Sequence, residues 1–176
     1  VALMPGLIDA HNHMVMDFRH VKAARDLGAP FDVQLDIAKK NAADDLRAGV
    51  TSARYLGDKL FVDLVMRSLI ASGDAQGPKP YVCGIGMKSS AAPGFVAQGL
   101  DTADEFSRLA AENLDRGVDF LKIFVTGTLI PSNSQAESEC YLSRDEIRAV
   151  VDAGHERGVI TAAHCIGGEG MRLCIS

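Results

Sequence analysis

Three helical stretches of this chain end in a basic residue, and glycine and valine follow closely. They are Arg47-Ala48-Gly49-Val50, Arg116-Gly117-Val118 and Arg157-Gly158-Val159. Glycine tolerates the left-handed backbone that closes a helix, and a basic side chain suits the negative helix end. The β-branched residue then opens an apolar run suited to a buried strand. A chain punctuated this way alternates helix and strand, and that alternation limits it to a parallel sheet covered by helices.

The helical stretches carry the matching period. Phe106, Leu109, Ala110 and Leu114 fall on one face, as do Ile147, Val150, Val151 and Gly154. Thr102 with Glu105, and Ser143 with Glu146, have the spacing of capping boxes. Earlier helices are expected over about 33–48 and 59–72. Five short apolar strands are expected, at about 7–12, 50–56, 80–86, 119–125 and 159–165. An open doubly wound sheet and a closed barrel both fit this pattern. A dinucleotide fold has little support, because Gly84-Ile85-Gly86 lacks a third glycine at the helix start. The stretches 13–32, 87–101 and 126–142 read as long loops leaving the C-terminal strand ends, and loops of that length are commonly functional.

Composition narrows the function classes. Apolar residues make up 47% and charged residues 23% of the 176, the balance of an ordinary globular protein. No apolar run approaches the roughly 20 residues of a membrane span. No signal peptide is visible ahead of Pro5-Gly6. A net charge of −5 argues against a nucleic-acid partner. Cys83, Cys140, Cys165 and Cys174 form no Cys-x-x-Cys pair, so they read as reduced, partly buried thiols of a cytoplasmic protein. The abrupt first and last residues read as cuts through a single domain spanning 1–176.

The segment Pro5-Gly6-Leu7-Ile8-Asp9-Ala10-His11-Asn12-His13 carries the clearest chemistry. His11 and His13 stand two apart on a strand, so both imidazoles face one side and can share a metal ion. An arbitrary His-x-His is more often solvated or packed. The proline–glycine lead-in and Asp9 favour the metal reading here.

This segment resembles the first-strand signature of the amidohydrolase superfamily. The resemblance continues through Ala48-Gly49-Val50-Thr51-Ser52, Asp119-Phe120-Leu121-Lys122-Ile123 and Ala162-Ala163-His164, covering essentially the whole chain. Lys122 followed by Thr126-Gly127 most resembles the prolidase and Xaa-dipeptidase-like carboxypeptidase branch. The resemblance implies a (β/α)₈ barrel of which only the first five strand–helix units are present. It implies a metal-dependent hydrolase of amide or peptide bonds, acting on dipeptides or acylated amino acids.

The same resemblance implies the ligands. His11, His13, Lys122 and His164 are the expected metal-binding set, holding two Zn²⁺ ions. Lys122, taken alone, is a lysine whose stem is buried and whose amine reaches a rim. In the resembled family the matching lysine is carboxylated by carbon dioxide and bridges the metals. Burial favours the neutral amine that can react in this way. His164 ends the fifth strand, where a packed histidine would also fit. His20 in a loop and His155 on a helix surface read as solvated.

The chain also departs from the family. Ile166 stands where many relatives have a second histidine, and Arg54-Tyr55-Leu56-Gly57 replaces Arg-Asp-Leu-Gly, with Tyr55 read as packing. The family takes a further histidine from strand six and the water-activating aspartate from strand eight, and neither strand is present. No catalytic base is therefore assigned. Asp9 is expected to support the ligands, and Asp58 is a weak candidate near the rim. The expected partner is a small amide or dipeptide, with no nucleic acid or membrane, and self-association stays open. The rival readings are a non-catalytic fragment that binds metal or associates with other chains, and a mononuclear deaminase of the same superfamily. Those deaminases lack the strand-four lysine, so Lys122 speaks against the second.

Overall fold

In the computed structural model, which describes residues 3–16, 28–127 and 138–176, every ladder between named strands is parallel. The chain forms two compact units, Val1–Gly84 and Ile85–Ser176. The first holds β1 (Leu7–Asn12), α1 (Phe31–Arg47), β2 (Val50–Tyr55), α2 (Val62–Ser72) and β3 (Lys79–Val82), with sheet order β1-β2-β3. The second holds β4 (Met87–Ser89), β5 (Gln98–Leu100), α3 (Ala103–Asp115), β6 (Leu121–Phe124), α4 (Arg144–Glu156), β7 (Thr161–His164) and α5 (Gly168–Ile175). Its sheet order is β5-β4-β6-β7.

The expected punctuation is realised. Gly49, Gly117 and Gly158 take φ values of +93°, +75° and +70°, the left-handed region that ends a helix and frees the chain to start a strand. Both capping boxes form, with the Thr102 and Ser143 side chains accepting from the amides of Glu105 and Glu146. Each satisfies donors that the first helical turn leaves open.

The third expected strand differs from its expectation. Residues 80–86 do not form one strand: Lys79–Val82 pairs with β2, and a separate Met87–Ser89 pairs with β6. Part of the stretch read as a loop is β5. Its Gln98-Gly99-Leu100 has no alternation to signal a strand. It is held by ladder pairing to β4, by Gln98 N–H donating to Gly86 O at 2.8 Å and by burial of Leu100.

Each unit has its own apolar interior. In the first, Ala38 and Ala42 of α1 and Val62 and Met66 of α2 are buried, as are Ala53 and Tyr55 of β2 and Val82 of β3. In the second, Phe106, Leu109 and Ala110 of α3 and Ile147 and Val150 of α4 are buried, with all four residues of β6. Burying one such large side chain contributes roughly 1.5–3 kcal/mol. The edge strand β1 is the exception, with Leu7 and Ile8 exposed at 49% and 77%. Among the described residues, no helix is long and apolar enough to cross a membrane.

Candidate metal centre

The first unit sets two histidines at the C-terminal end of β1. Gly6 leads in, pressed so close to β2 that a Cβ there would lie 2.1 Å from Thr51 Oγ1. This close approach is the physical reason for glycine in the Pro5-Gly6 pair. The β1–β2 register slips by one residue between Leu7 and Ile8 and slips back between Asp9 and Asn12. A bulge of this kind re-aims side chains, and it falls where His11 sits. His11 is exposed and His13 half-buried, with ring centroids 5.5 Å apart and planes tilted by 58°.

Backbone contacts fix the proton on His13. Its Nδ1 lies 2.9 Å from Gly57 O. A carbonyl oxygen only accepts, so Nδ1 carries the hydrogen and Nε2 of the neutral ring presents a lone pair, the arrangement of a metal-binding histidine. Asn12 accepts from His13 N–H through Oδ1 at 2.7 Å and donates through Nδ2 to Asp45 Oδ2 at 2.9 Å. That ties the end of β1 to α1. Asp9 Oδ1 accepts from the His11 amide at 3.0 Å. Asp9 therefore steadies the backbone of a candidate ligand.

Beneath these groups lies a buried acid. Asp58 is 1% exposed, and neither carboxylate oxygen has a hydrogen bond of normal geometry. Burial pushes its pKa well above the usual carboxylate range and nearby Asp63 adds to the rise, while the amides of Met14 and Val15 draw it back. Asp63 is also raised by burial, against hydrogen bonds from the Gly84, Leu64 and Cys83 amides at 2.7, 2.8 and 3.1 Å. Tyr55 is fully buried, as expected of a packing residue, and burial raises its hydroxyl above the ordinary value.

The second unit brings Lys122 and His164 together around Phe124. Lys122 is 1% exposed, and its Nζ lies 4.6 Å from the centre of the Phe124 ring. Phe124 faces His164 across the β6–β7 ladder, with ring centroids 5.6 Å apart. His164 Nε2 donates to Gly127 O at 2.9 Å, which leaves Nδ1 as the lone-pair nitrogen. Burial lowers the His164 pKa, the hydrogen bond to Gly127 opposes this, and the Lys122 charge lowers it further. A neutral ring results, the form a metal requires. Thr126 Oγ1 accepts from the Ile166 amide at 2.9 Å and anchors the turn after β7.

Imidazole nitrogens are donors that divalent transition metals accept, and each unit presents its own. Two histidines have their second nitrogen committed to a backbone carbonyl, and a buried lysine stands beside one of them. Among the described residues no three His, Cys, Asp or Glu side chains form a metal-holding group. Each unit supplies only a pair, His11 with His13 and Lys122 with His164, and lysine is outside those types. His155 is exposed on α4, as expected, and His20 lies outside the described residues. Sequence reasoning passed over Asn12 and Gly57. Asn12 could have been found from its place between the histidines, whereas a backbone carbonyl leaves no signal.

The amidohydrolase family model matches residues 2–173. The chain belongs to the amidohydrolase family. Solved structures agree. One amidohydrolase is 25% identical with a TM-score of 0.82, matching 98% of this chain and 46% of its own. A Xaa-Pro dipeptidase with methionine bound in its active site is 25% identical with a TM-score of 0.76, matching 97% of this chain and 45% of its own. A prolidase complexed with N-methylphosphonate-L-proline is 20% identical with a TM-score of 0.81, over 98% and 45%. No match was found among curated proteins. The parallel strands and alternating helices are those of a partial amidohydrolase barrel, and this chain spans less than half the length of these solved relatives.

Proposed function

We propose that this amidohydrolase chain belongs to a zinc-dependent hydrolase that cleaves a carbon–nitrogen bond in dipeptides or acylated amino acids. The reading rests on one observation above the others: His13 and His164 each commit one ring nitrogen to a backbone carbonyl, so each presents the other as a ligand atom. His11 and His13 of the first unit and Lys122 and His164 of the second would be the metal-holding residues, with Lys122 in its carboxylated form. When bound, zinc would lower the pKa of a water and polarise the scissile carbonyl.

The chain's own residues do the positioning. Gly57 and Gly127 orient the imidazoles, and Asn12 and Asp9 hold the β1 backbone. The dipeptide-like substrate class is supported by two solved neighbours, a Xaa-Pro dipeptidase with bound methionine and a prolidase complexed with N-methylphosphonate-L-proline.

The test is elemental analysis of the longer protein carrying this segment, with and without His11→Ala and His13→Ala together. Loss of metal and of dipeptide turnover is expected. Unchanged metal content would defeat the reading. The deaminase alternative is disfavoured by Lys122, buried where those enzymes have no lysine.

A further inference from the structure

The chain turns sharply after His13. Met16 N–H donates to His13 O at 3.3 Å, and the two residues inside the turn, Met14 and Val15, are 1% and 0% exposed. A turn buried this deeply is shielded from water, so its carbonyls need donors from the protein. Asn41 of α1 supplies them. Its Nδ2 carries two hydrogens and donates to Met14 O at 2.9 Å and, over a longer reach, to Met16 O at 3.4 Å. Asparagine is a poor choice for a helix interior on local grounds, because its side chain competes for nearby backbone groups. Here that side chain serves a segment 27 positions away.

Asp45 stands one turn further along the same face of α1, at i+4 from Asn41. Its Oδ2 accepts from Asn12 Nδ2 at 2.9 Å, and Asn12 Oδ1 accepts from the His13 amide at 2.7 Å. α1 therefore holds the chain on both sides of His13, through Asn12 before it and through the buried turn after it. The helix is itself seated between these two residues, where a Cβ on Gly77 would lie 2.8 Å from Ala42 Cβ. The Gly57 carbonyl sets the tautomer of the ring only while the His13 backbone keeps Nδ1 at the 2.9 Å reach.

We propose that Asn41 and Asp45 are positioning residues for His13, a two-point grip by which α1 fixes the imidazole against Gly57 O. Its bearing on function rests on the reading of His13 as a metal ligand. The grip itself belongs to the metal-free chain, and that separates the two in the test.

The experiment records long-range nitrogen–proton NMR of the chain labelled at histidine, with chelator present, and identifies the His13 signals by their loss in His13→Ala. The native chain is expected to show a fixed Nδ1–H. Asn41→Asp keeps the side-chain shape but removes both donated hydrogens, and the fixed Nδ1–H signal should be lost. Asp45→Ala should lose it as well, whereas Asp45→Asn should keep it, because the amide oxygen still accepts from Asn12. Lys40→Ala, on the solvent side of the same helix, should change nothing. In the longer protein, zinc affinity should fall about tenfold in Asn41→Asp, the lower end for a group that orients a metal-binding histidine. A fixed Nδ1–H that persists in folded Asn41→Asp, or an Asp45→Asn chain that behaves like Asp45→Ala, would overturn the proposal. Circular dichroism reports folding, and if Asn41→Asp does not fold the two Asp45 variants decide. A native protein that takes up no zinc while the ring signals change as expected would remove the metal reading and leave the grip established.

Discussion

His13 Nδ1 donates to the carbonyl oxygen of Gly57 across 2.9 Å, so a backbone atom of the loop after β2 decides which face of an imidazole at the end of β1 is basic. The carbonyl can hold that position because Gly57 takes φ +105°, a conformation that other residues adopt only with strain. Gly57→Ala should therefore rotate the carbonyl away and release the ring. Long-range nitrogen–proton NMR should show the Nδ1–H tautomer in the native chain and a tautomer mixture in the variant. Zinc affinity should fall about 10–100-fold, as for other partners of metal-binding histidines. A native Nε2–H tautomer would refute the assignment.

The lead-in to β1 makes a separate, purely steric claim. An alanine at Gly6 would place its Cβ 2.1 Å from Thr51 Oγ1 and 2.2 Å from Thr51 Cγ2. A β-branched side chain cannot turn both groups away at once. Gly6→Ala should cost about 1–3 kcal/mol by overpacking. It should cost less in a Thr51→Ala background, because the two nearest clashing atoms are then gone and only the Thr51 Cβ contact at 2.7 Å is left to relieve. Urea unfolding of the two singles and the double measures the coupling, and simple additivity would show that the contact is not the cause.

These two glycines mark how far the sequence could be read. The helix ends at Gly49, Gly117 and Gly158, the capping boxes and the alternation of helix with strand were legible, because each is a local preference repeated in the chain. The break within 80–86 and the short strand at Gln98–Leu100 were not, since both depend on ladder partners far away in sequence. The candidate ligands were legible as residue types in apolar strands. Their orientation was not, because it rests on the carbonyls of Gly57 and Gly127. Asp58 reads in sequence as a rim carboxylate, whereas the structure seals it at 1% exposure. Nothing in the local pattern of Leu56-Gly57-Asp58 reports that burial.

Asp58 gives a pH dependence whose sign can be worked out. Its folded pKa is raised above the unfolded value near 3.8, first by burial. Between those two values the native state holds a proton that the unfolded state has lost, so stability falls as pH rises through that window. The contribution is fully present below the unfolded value and is lost by the time pH passes the folded one. Asp58→Asn removes the ionisation. The variant should gain stability relative to the native chain at about pH 7 more than at about pH 4. Some slope should persist, because Asp63 is raised by burial as well. Urea midpoints at the two pH values, taken with chelator present, measure this. A variant whose loss is greater at neutral pH would show that the charged form is the one the fold needs.

The last prediction is that residues 1–176 alone turn over no dipeptide or acyl-amino acid, even with zinc and bicarbonate supplied. Holding a metal needs only ligands, but hydrolysis needs a placed base to take the water's proton. The carboxylates around the histidines of the first unit are otherwise engaged. Asp9 accepts from the His11 amide, and Asp45 from the Asn12 side chain. Asp63 is bound by three backbone amides. Asp58 is sealed from solvent, with burial favouring its protonated form. The solved relatives extend well beyond the length this chain spans. A turnover assay of the purified chain against a panel of dipeptides and acyl-amino acids decides the matter. Metal-dependent turnover that vanishes on Lys122→Ala would show that one of these four carboxylates serves as the base after all, and Asp58, the one with no hydrogen bond of normal geometry, would be the first to replace.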